Sequence, residues 1–277
     1  MHRRSHVASG RALLATQVVG QGHPVVFLHA NVCDSRMLRA QLEAVGIGNM
    51  AIAYDRRGFG ETRFEKEDFS PVADLMAVMD AMATGKPVIL VGCSRGGKIA
   101  IDAALLHPSR IVGLVLVAPS VGGAPKPVYS PAIKEMLAQQ KAAEDAGELD
   151  QVNAIKARLW LDGPLAPEGR VTGQARQLFL DMNGIALRSP PAGSSLDVTP
   201  AFSRLAEIGV PSLVVWGDLD FPHIQDRSRH IAKEMPNATG CELAGTAHLP
   251  SLEQPAAVTG LLLSFMERLL GRHSPLA

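Results

Sequence analysis

The stretch VGCSRGGKIA at residues 91–100 admits two readings with different chemistry. Counted from Gly92, four residues lead to Gly97 and Lys98, the beginning of a phosphate-binding loop; counted around Ser94, Gly92 and Gly96 flank a serine as Gly-x-Ser-x-Gly. A phosphate loop needs a hydroxyl directly after its lysine to hold magnesium, and Ile99 has none. The dinucleotide pattern Gly-x-Gly-x-x-Gly fails too, because Ser94 stands where its second glycine belongs. The serine reading requires a strand, a sharp turn and a helix, with small residues two positions before and after the nucleophile. PVILV (87–91) supplies the strand, KIAIDAALL (98–106) the helix, and Gly97 lets the helix come close to the sheet.

Similar short apolar runs bounded by Gly, Pro or charge surround this segment: PVVFLHA (24–30), MAIAYD (50–55) and IVGLVLVAP (111–119). Each is too short for a helix and reads as a buried parallel strand. Helical patterns lie between them, at DSRMLRAQLEAV (34–45), at SPVADLMAVMDAMAT (70–84) with Ser70 as cap and Pro71 in the first turn, and at RGGKIAIDAALLHP (95–108). Alternation of this kind predicts an α/β protein with a doubly wound, mostly parallel sheet. The opening MHRRSHVASGRALLATQVVG is interrupted by polar residues too often for a signal peptide and reads as a first strand or hairpin.

The rhythm breaks after Pro119. Residues 121–200 hold helical stretches at 131–146, 148–160 and 170–187 and no convincing strand, whereas VPSLVVWGDLD (210–220), a helix from about His223 to Met235, a strand near TGCELAG and a closing helix from Pro255 resume the alternation. The expected organisation is a core domain from 1–120 and 201–277, with 121–200 inserted as a helical cap.

A serine hydroxyl is a weak nucleophile at neutral pH and needs a base and an orienting carboxylate. Of the nine histidines, His2, His6 and His273 lie near the termini and His107 sits at a helix end. His248 differs, because it falls in LAGTAHLPSLEQP (243–255), a loop between the last strand and the last helix with no apolar periodicity to account for it. Asp218 and Asp220 both lie in the loop beyond the strand at 210–217. Either completes the chain order Ser, Asp, His.

Five segments in order, HANV (29–32), YDRRGFGET (54–62), GCSRGG (92–97), WGDLD (216–220) and GTAHLPSLEQP (245–255), make the chain resemble an α/β-hydrolase along nearly its full length. The resemblance implies Ser94 as nucleophile, His248 as base, Asp220 rather than Asp218 as the orienting acid, and the backbone N–H groups of Asn31 and Arg95 as an oxyanion hole. Departures from the family pattern are Ala30, where glycine is usual, and Cys93 and Arg95, where His and Met are common. The Arg95 side chain either begins the helix in solvent or contacts an anionic substrate group. Asn31 stands where haloalkane dehalogenases place a halide-binding Asn, but those enzymes and epoxide hydrolases use an Asp nucleophile, against which Ser94 argues.

With 27 basic and 27 acidic side chains the chain has no net charge to draw it to nucleic acid or an anionic membrane, and no apolar stretch reaches membrane-spanning length. Cys33, Cys93 and Cys241 are too scattered for a disulfide framework or a structural zinc site, and read as reduced thiols of a cytoplasmic protein. The expectation is therefore a serine hydrolase without cofactor or metal, cleaving a carboxylic ester or lactone of a small molecule. Trp160 and Phe179 are the candidates for an apolar substrate wall, and the sequence sets no oligomeric state. The same triad in similar proteins also serves hydrolysis of carbon–carbon bonds in β-diketones or dienoic acids, and perhydrolysis. A receptor-like binding protein on this fold is the non-enzymatic alternative, and it has no need of all three triad residues.

Overall fold

The computed structural model describes residues 2–271; Met1 and residues 272–277, including His273, lie outside it. The chain opens with the hairpin β1 (His2–Ser9) and β2 (Ala12–Val19), followed by β3 (Pro24–Leu28), α1 (Arg39–Val45), β4 (Met50–Tyr54), a short β5 (Arg63–Phe64) and α2 (Pro71–Ala83). Then come β6 (Val88–Cys93), α3 (Arg95–Leu106) and β7 (Ile111–Val117). The helices α4 (Pro131–Ala146), α5 (Leu149–Ala157) and α6 (Gly173–Arg188) intervene before β8 (Ser212–Gly217), α7 (Pro222–Glu234), β9 (Ala238–Leu243), α8 (Pro250–Glu253) and α9 (Pro255–Gly271).

The strands form one mostly parallel sheet in the order β1-β2-β4-β3-β6-β7-β8-β9, with β5 paired to β2. Pairing is antiparallel through β1, β2 and β4 and parallel from β4 to β9. Because β4 lies on one side of β3 and β6 on the other, the winding reverses between β3 and β6, and the crevice at their carboxyl ends is where an open α/β sheet places ligands.

Side-chain alternation along each strand builds two cores, one per face. In β3, Val26 and Leu28 join the core that includes Leu75, Met79 and Ile101, while Val25 and Phe27 join the core that includes Leu42, Leu262 and Met266. Burial on both faces explains why these strands read as continuous apolar runs. Helix α2 starts as its sequence suggests, with the Ser70 hydroxyl accepting from the Ala73 N–H at 3.0 Å and Pro71 in the first turn. The inserted segment also contributes one parallel bridge, from Ser195 to Phe69, so its last part is bound to the segment before α2.

Packing is tightest where α3 meets the sheet. A Cβ built on Gly96 would lie 2.2 Å from the Leu28 carbonyl oxygen, and one on Gly92 would lie 2.6 Å from the Gly96 oxygen. Both contacts are with backbone, which cannot swing aside. The Gly96→Ala variant is therefore expected to lose more than about 3 kcal/mol of folding stability in chemical denaturation, as overpacking against fixed backbone does.

Candidate active site

Ser94 is the single residue between the last residue of β6 and the first of α3, and its backbone takes φ of 52° and ψ of −113°. That conformation is strained for a side-chain-bearing residue, and its persistence requires over-determination by the surroundings. The Ser94 N–H donates to the Val117 oxygen at 2.9 Å, and its own carbonyl accepts from the N–H groups of Lys98 (3.1 Å) and Ser120 (3.0 Å). The turn leaves the Ser94 side chain on a cavity at the sheet's carboxyl edge.

His248 lies on the same cavity, 2 % exposed, ahead of α8. Its Nδ1–H donates to the Asp220 carboxylate at 2.8 Å, which leaves Nε2 available on the other side of the ring. Asp220 is buried, and its second oxygen accepts from the Phe221 N–H at 2.7 Å. Asp218 does something else: it is exposed, and its carboxylate accepts from the Gly245 N–H at 2.7 Å, fixing the turn that precedes His248. Among the described residues the Ser94 hydroxyl makes no hydrogen bond; catalytic contacts commonly shorten only when substrate is bound.

The backbone N–H groups of Asn31, after β3, and Arg95, the first residue of α3, have no hydrogen-bond acceptor among the described residues, and both residues line the cavity. Unclaimed amides at a helix start are donors awaiting a negative oxygen. His29 shapes the first of these loops. Its Nδ1–H donates to the Ala30 oxygen at 2.8 Å and its Nε2 accepts from the Arg56 N–H at 3.0 Å, an arrangement of the neutral ring. Burial, reinforced by the Arg56 charge, pushes the His29 pKa well below its ordinary value.

The cavity measures about 630 Å³. Trp160 lines it and packs on His248, with ring centroids 4.7 Å apart; it sits in a π-helical turn, Arg158–Asp162, that follows α5. Phe179 corrects the sequence expectation. It is fully buried in the core with Phe27, Leu161 and Met182, and is not part of the cavity wall, because its face of α6 turns toward the sheet domain.

Other contributors were not singled out from sequence. Glu253 accepts from the N–H groups of Ala247 (2.8 Å) and Leu249 (3.0 Å), on either side of His248, and is bound by Arg170. Its only trace in the sequence is an acidic residue five positions after His248. Arg56, Tyr54 and Lys156 line the cavity, as do Phe59 and Phe69. The three cysteines are free, with Cys33 and Cys93 buried. Among the described residues no group of His, Cys, Asp or Glu is placed to hold a metal, and no helix is long and apolar enough to cross a membrane.

A turn-borne serine, a buried Asp–His pair and unclaimed amides at a topological switch point define a hydrolase of the α/β class. The alpha/beta hydrolase family profile matches residues 25–261, and the chain belongs to that family. It is 24% identical over 259 residues to the AB hydrolase superfamily protein YisY of Bacillus subtilis, covering 91% of this chain and 94% of that one. It is 26% identical to the pimeloyl-[acyl-carrier protein] methyl ester esterase of Chromobacterium violaceum, covering 92% and 98%. Among solved structures, the esterase RhEst1 from Rhodococcus sp. ECU1013 superposes with a TM-score of 0.76 over 97% of this chain and 99% of that one, at 22% identity. The protein is an alpha/beta hydrolase enzyme.

The His29 geometry has a consequence for stability against pH. The folded state resists protonating His29 while the unfolded chain protonates it near pH 6.5, so its contribution is present above pH 6.5 and is lost as pH falls toward the depressed folded value. Urea denaturation at stepped pH should show stability falling below pH 6.5, with a slope from this residue of at most about 1.4 kcal/mol per pH unit. His29→Gln should be less stable at neutral pH and show a shallower slope; an unchanged slope would mean the ring is charged in the folded state.

Proposed function

We propose that this protein is a serine hydrolase that cleaves a carboxylic ester or lactone of a small molecule through a covalent acyl-enzyme. The observation that carries this reading is the buried Asp220–His248 hydrogen bond on the same cavity as the strained Ser94 turn. Ser94 Oγ attacks the acyl carbonyl while His248 Nε2 takes its proton, and Asp220 holds the ring in the tautomer that leaves Nε2 free to do so. The N–H groups of Asn31 and Arg95 donate to the oxyanion of the tetrahedral intermediate. The imidazolium gives its proton to the departing alcohol, and a water activated by the same ring releases the acid and restores Ser94. Similarity to named esterases supports this acyl chemistry.

The segment from 121 to 200 acts as a cap. Leu137, Gln140, Lys156 and Trp160 of that segment complete a cavity whose other wall carries Ser94 and His248, so the insertion sets the choice of substrate while the sheet loops set the chemistry.

The reading is tested first by labelling. A fluorophosphonate probe should react with the wild type at Ser94 and spare Ser94→Ala, whose ester hydrolysis should fall by several orders of magnitude. Asp220→Asn should slow turnover about a thousandfold or more while the protein stays folded, with Asp218→Asn much milder. Labelling that persists without Ser94, or a worse lesion at Asp218, overturns the assignment.

Trp160→Ala should change the preference among p-nitrophenyl esters of rising chain length while comparatively sparing the acetyl ester, because a tiny acyl group gains little from an apolar wall. Equal losses for short and long esters would place Trp160 in support of His248 instead. Phe179→Ala belongs to a different category and should chiefly lower stability, by about 3–5 kcal/mol.

A further inference from the structure

The cavity beside Ser94 has an excess of positive charge that the fold leaves uncompensated. Arg56 and Arg57 are neighbours in sequence, yet the protein treats them differently. Arg57 is held by Asp74, through Nε at 2.9 Å and Nη2 at 3.0 Å, and also by Glu67, so its charge is neutralised within the fold. Arg56 has no carboxylate within salt-bridge distance among the described residues. It touches only the Ala30 carbonyl at 3.1 Å, the Asn31 side-chain oxygen at 3.5 Å and the face of Phe59. Its Nε is buried without a hydrogen-bond partner, and so is the neighbouring Tyr54 hydroxyl.

Arg95 faces the same cavity, immediately after Ser94, and its side chain makes no hydrogen bond or ion pair among the described residues. Lys156 reaches the cavity from the insertion, with a single carboxylate, Glu144, at 4.0 Å. Burial and the nearby Arg95 charge pull the Arg56 pKa down to about 10, so Arg56 remains a cation at neutral pH while feeling both penalties. Folds seldom keep a partly buried guanidinium without an anion.

We propose that the substrate carries a carboxylate in addition to its scissile acyl bond, and that this carboxylate binds between the side chains of Arg56 and Arg95. The proposal rests on the acyl-hydrolase reading above and narrows its substrate to half-esters, or lactones, of dicarboxylic acids. A carboxylate presents two coplanar oxygens, which match a guanidinium fork that Ala30 and Asn31 use only in part. The contact from Arg56 to Asn31 places the anion subsite against the loop that carries the proposed oxyanion donor, so a bound carboxylate would fix the acyl group's orientation relative to Ser94. Phe59 and Phe69 offer apolar surface for the hydrocarbon between the two ends.

The test compares a matched pair, methyl hexanoate and the monomethyl ester of adipic acid, by proton release in a pH-stat. The wild type should favour the anionic ester in kcat/KM by about tenfold or more, the difference expected of a desolvated charge pair. That ratio should collapse toward unity in Arg56→Met and in Arg95→Met, and recover in part in Arg56→Lys. No preference in the wild type, or a ratio that survives both Met variants, overturns the proposal. If Arg56→Met does not fold, Arg95→Met carries the decision, since its side chain holds nothing else together.

A second arm needs no turnover. Adipate titrated calorimetrically into Ser94→Ala should bind, and adding Arg56→Met or Arg95→Met should weaken it about tenfold or more. Inorganic phosphate binding as tightly as adipate would overturn the choice of carboxylate. Adipate binding that depends on the arginines, in a protein that hydrolyses neither ester and takes no fluorophosphonate at Ser94, would remove the hydrolase reading and leave the anion subsite standing. Hydrolysis of both esters at equal rates, with no adipate binding, would do the reverse.

Discussion

The approach of α3 to the sheet is the constraint on which the rest of the site depends. Gly96 lies against the Leu28 carbonyl and Gly92 against Gly96, so the helix must begin almost on top of the strand that precedes it. One residue is left to turn the chain, and at φ of 52° Ser94 takes the strain, of order 1–3 kcal/mol for such conformations. The bonds from its backbone to Val117, Lys98 and Ser120 offset that cost and bring the end of β7 into the same structure. Projection of the hydroxyl into the cavity, and the unclaimed Arg95 amide beside it, follow from this one close contact.

Carboxylates organise the loops around that turn by accepting backbone N–H groups. Asp218 takes the Gly245 amide, Glu253 those of Ala247 and Leu249, and Asp55 those of Ser35 and Glu61. Burial raises the Glu253 pKa, against the opposing pull of Arg170 and the two amides. Such bonds hold a loop without drawing on the side chains that face the substrate. His248 is therefore fixed from three directions: Asp220 at its ring nitrogen, Glu253 at its flanking amides and Trp160 on its ring face.

The parts of this arrangement that were legible in the sequence are those imposed by local backbone physics. Gly92 and Gly96 around Ser94, the strand before them and the helix after them describe the turn completely, because the strain is relieved within six residues. The expected strands and the inserted helices near 131–146, 148–160 and 170–187 correspond closely to β3, β4, β6, β7 and to α4, α5 and α6. What sequence could not separate was direction. Trp160 and Phe179 are both aromatic residues of apolar helical segments, but a π-helical turn aims Trp160 at the cavity, while α6 turns Phe179 into the core. Neither outcome follows from apolar spacing, since a one-residue widening of the helix rotates every later side chain. Glu253 was illegible for another reason: its acceptor role depends on amides brought back to it by α8.

The two adjacent arginines show how a fold distinguishes structural charge from charge kept for a ligand. Arg57 receives two carboxylates, and the resulting network ties β1, through the Ser9 carbonyl at 2.7 Å, to α2 through Asp74. Arg56 receives none, although Asp55 is its neighbour in the chain. Asp55 is turned instead toward the Ser35 and Glu61 amides, at 2.9 Å each, with burial raising its pKa. A carboxylate was thus within reach and is spent elsewhere, so the open charge of Arg56 is not a shortage of acidic residues. Arg95 compounds the repulsion from the first position after the nucleophile, where any small residue would satisfy the turn. Two like charges kept together on a cavity wall cost stability unless something of opposite sign is brought to them, and in a hydrolase the molecule that enters that cavity is the substrate.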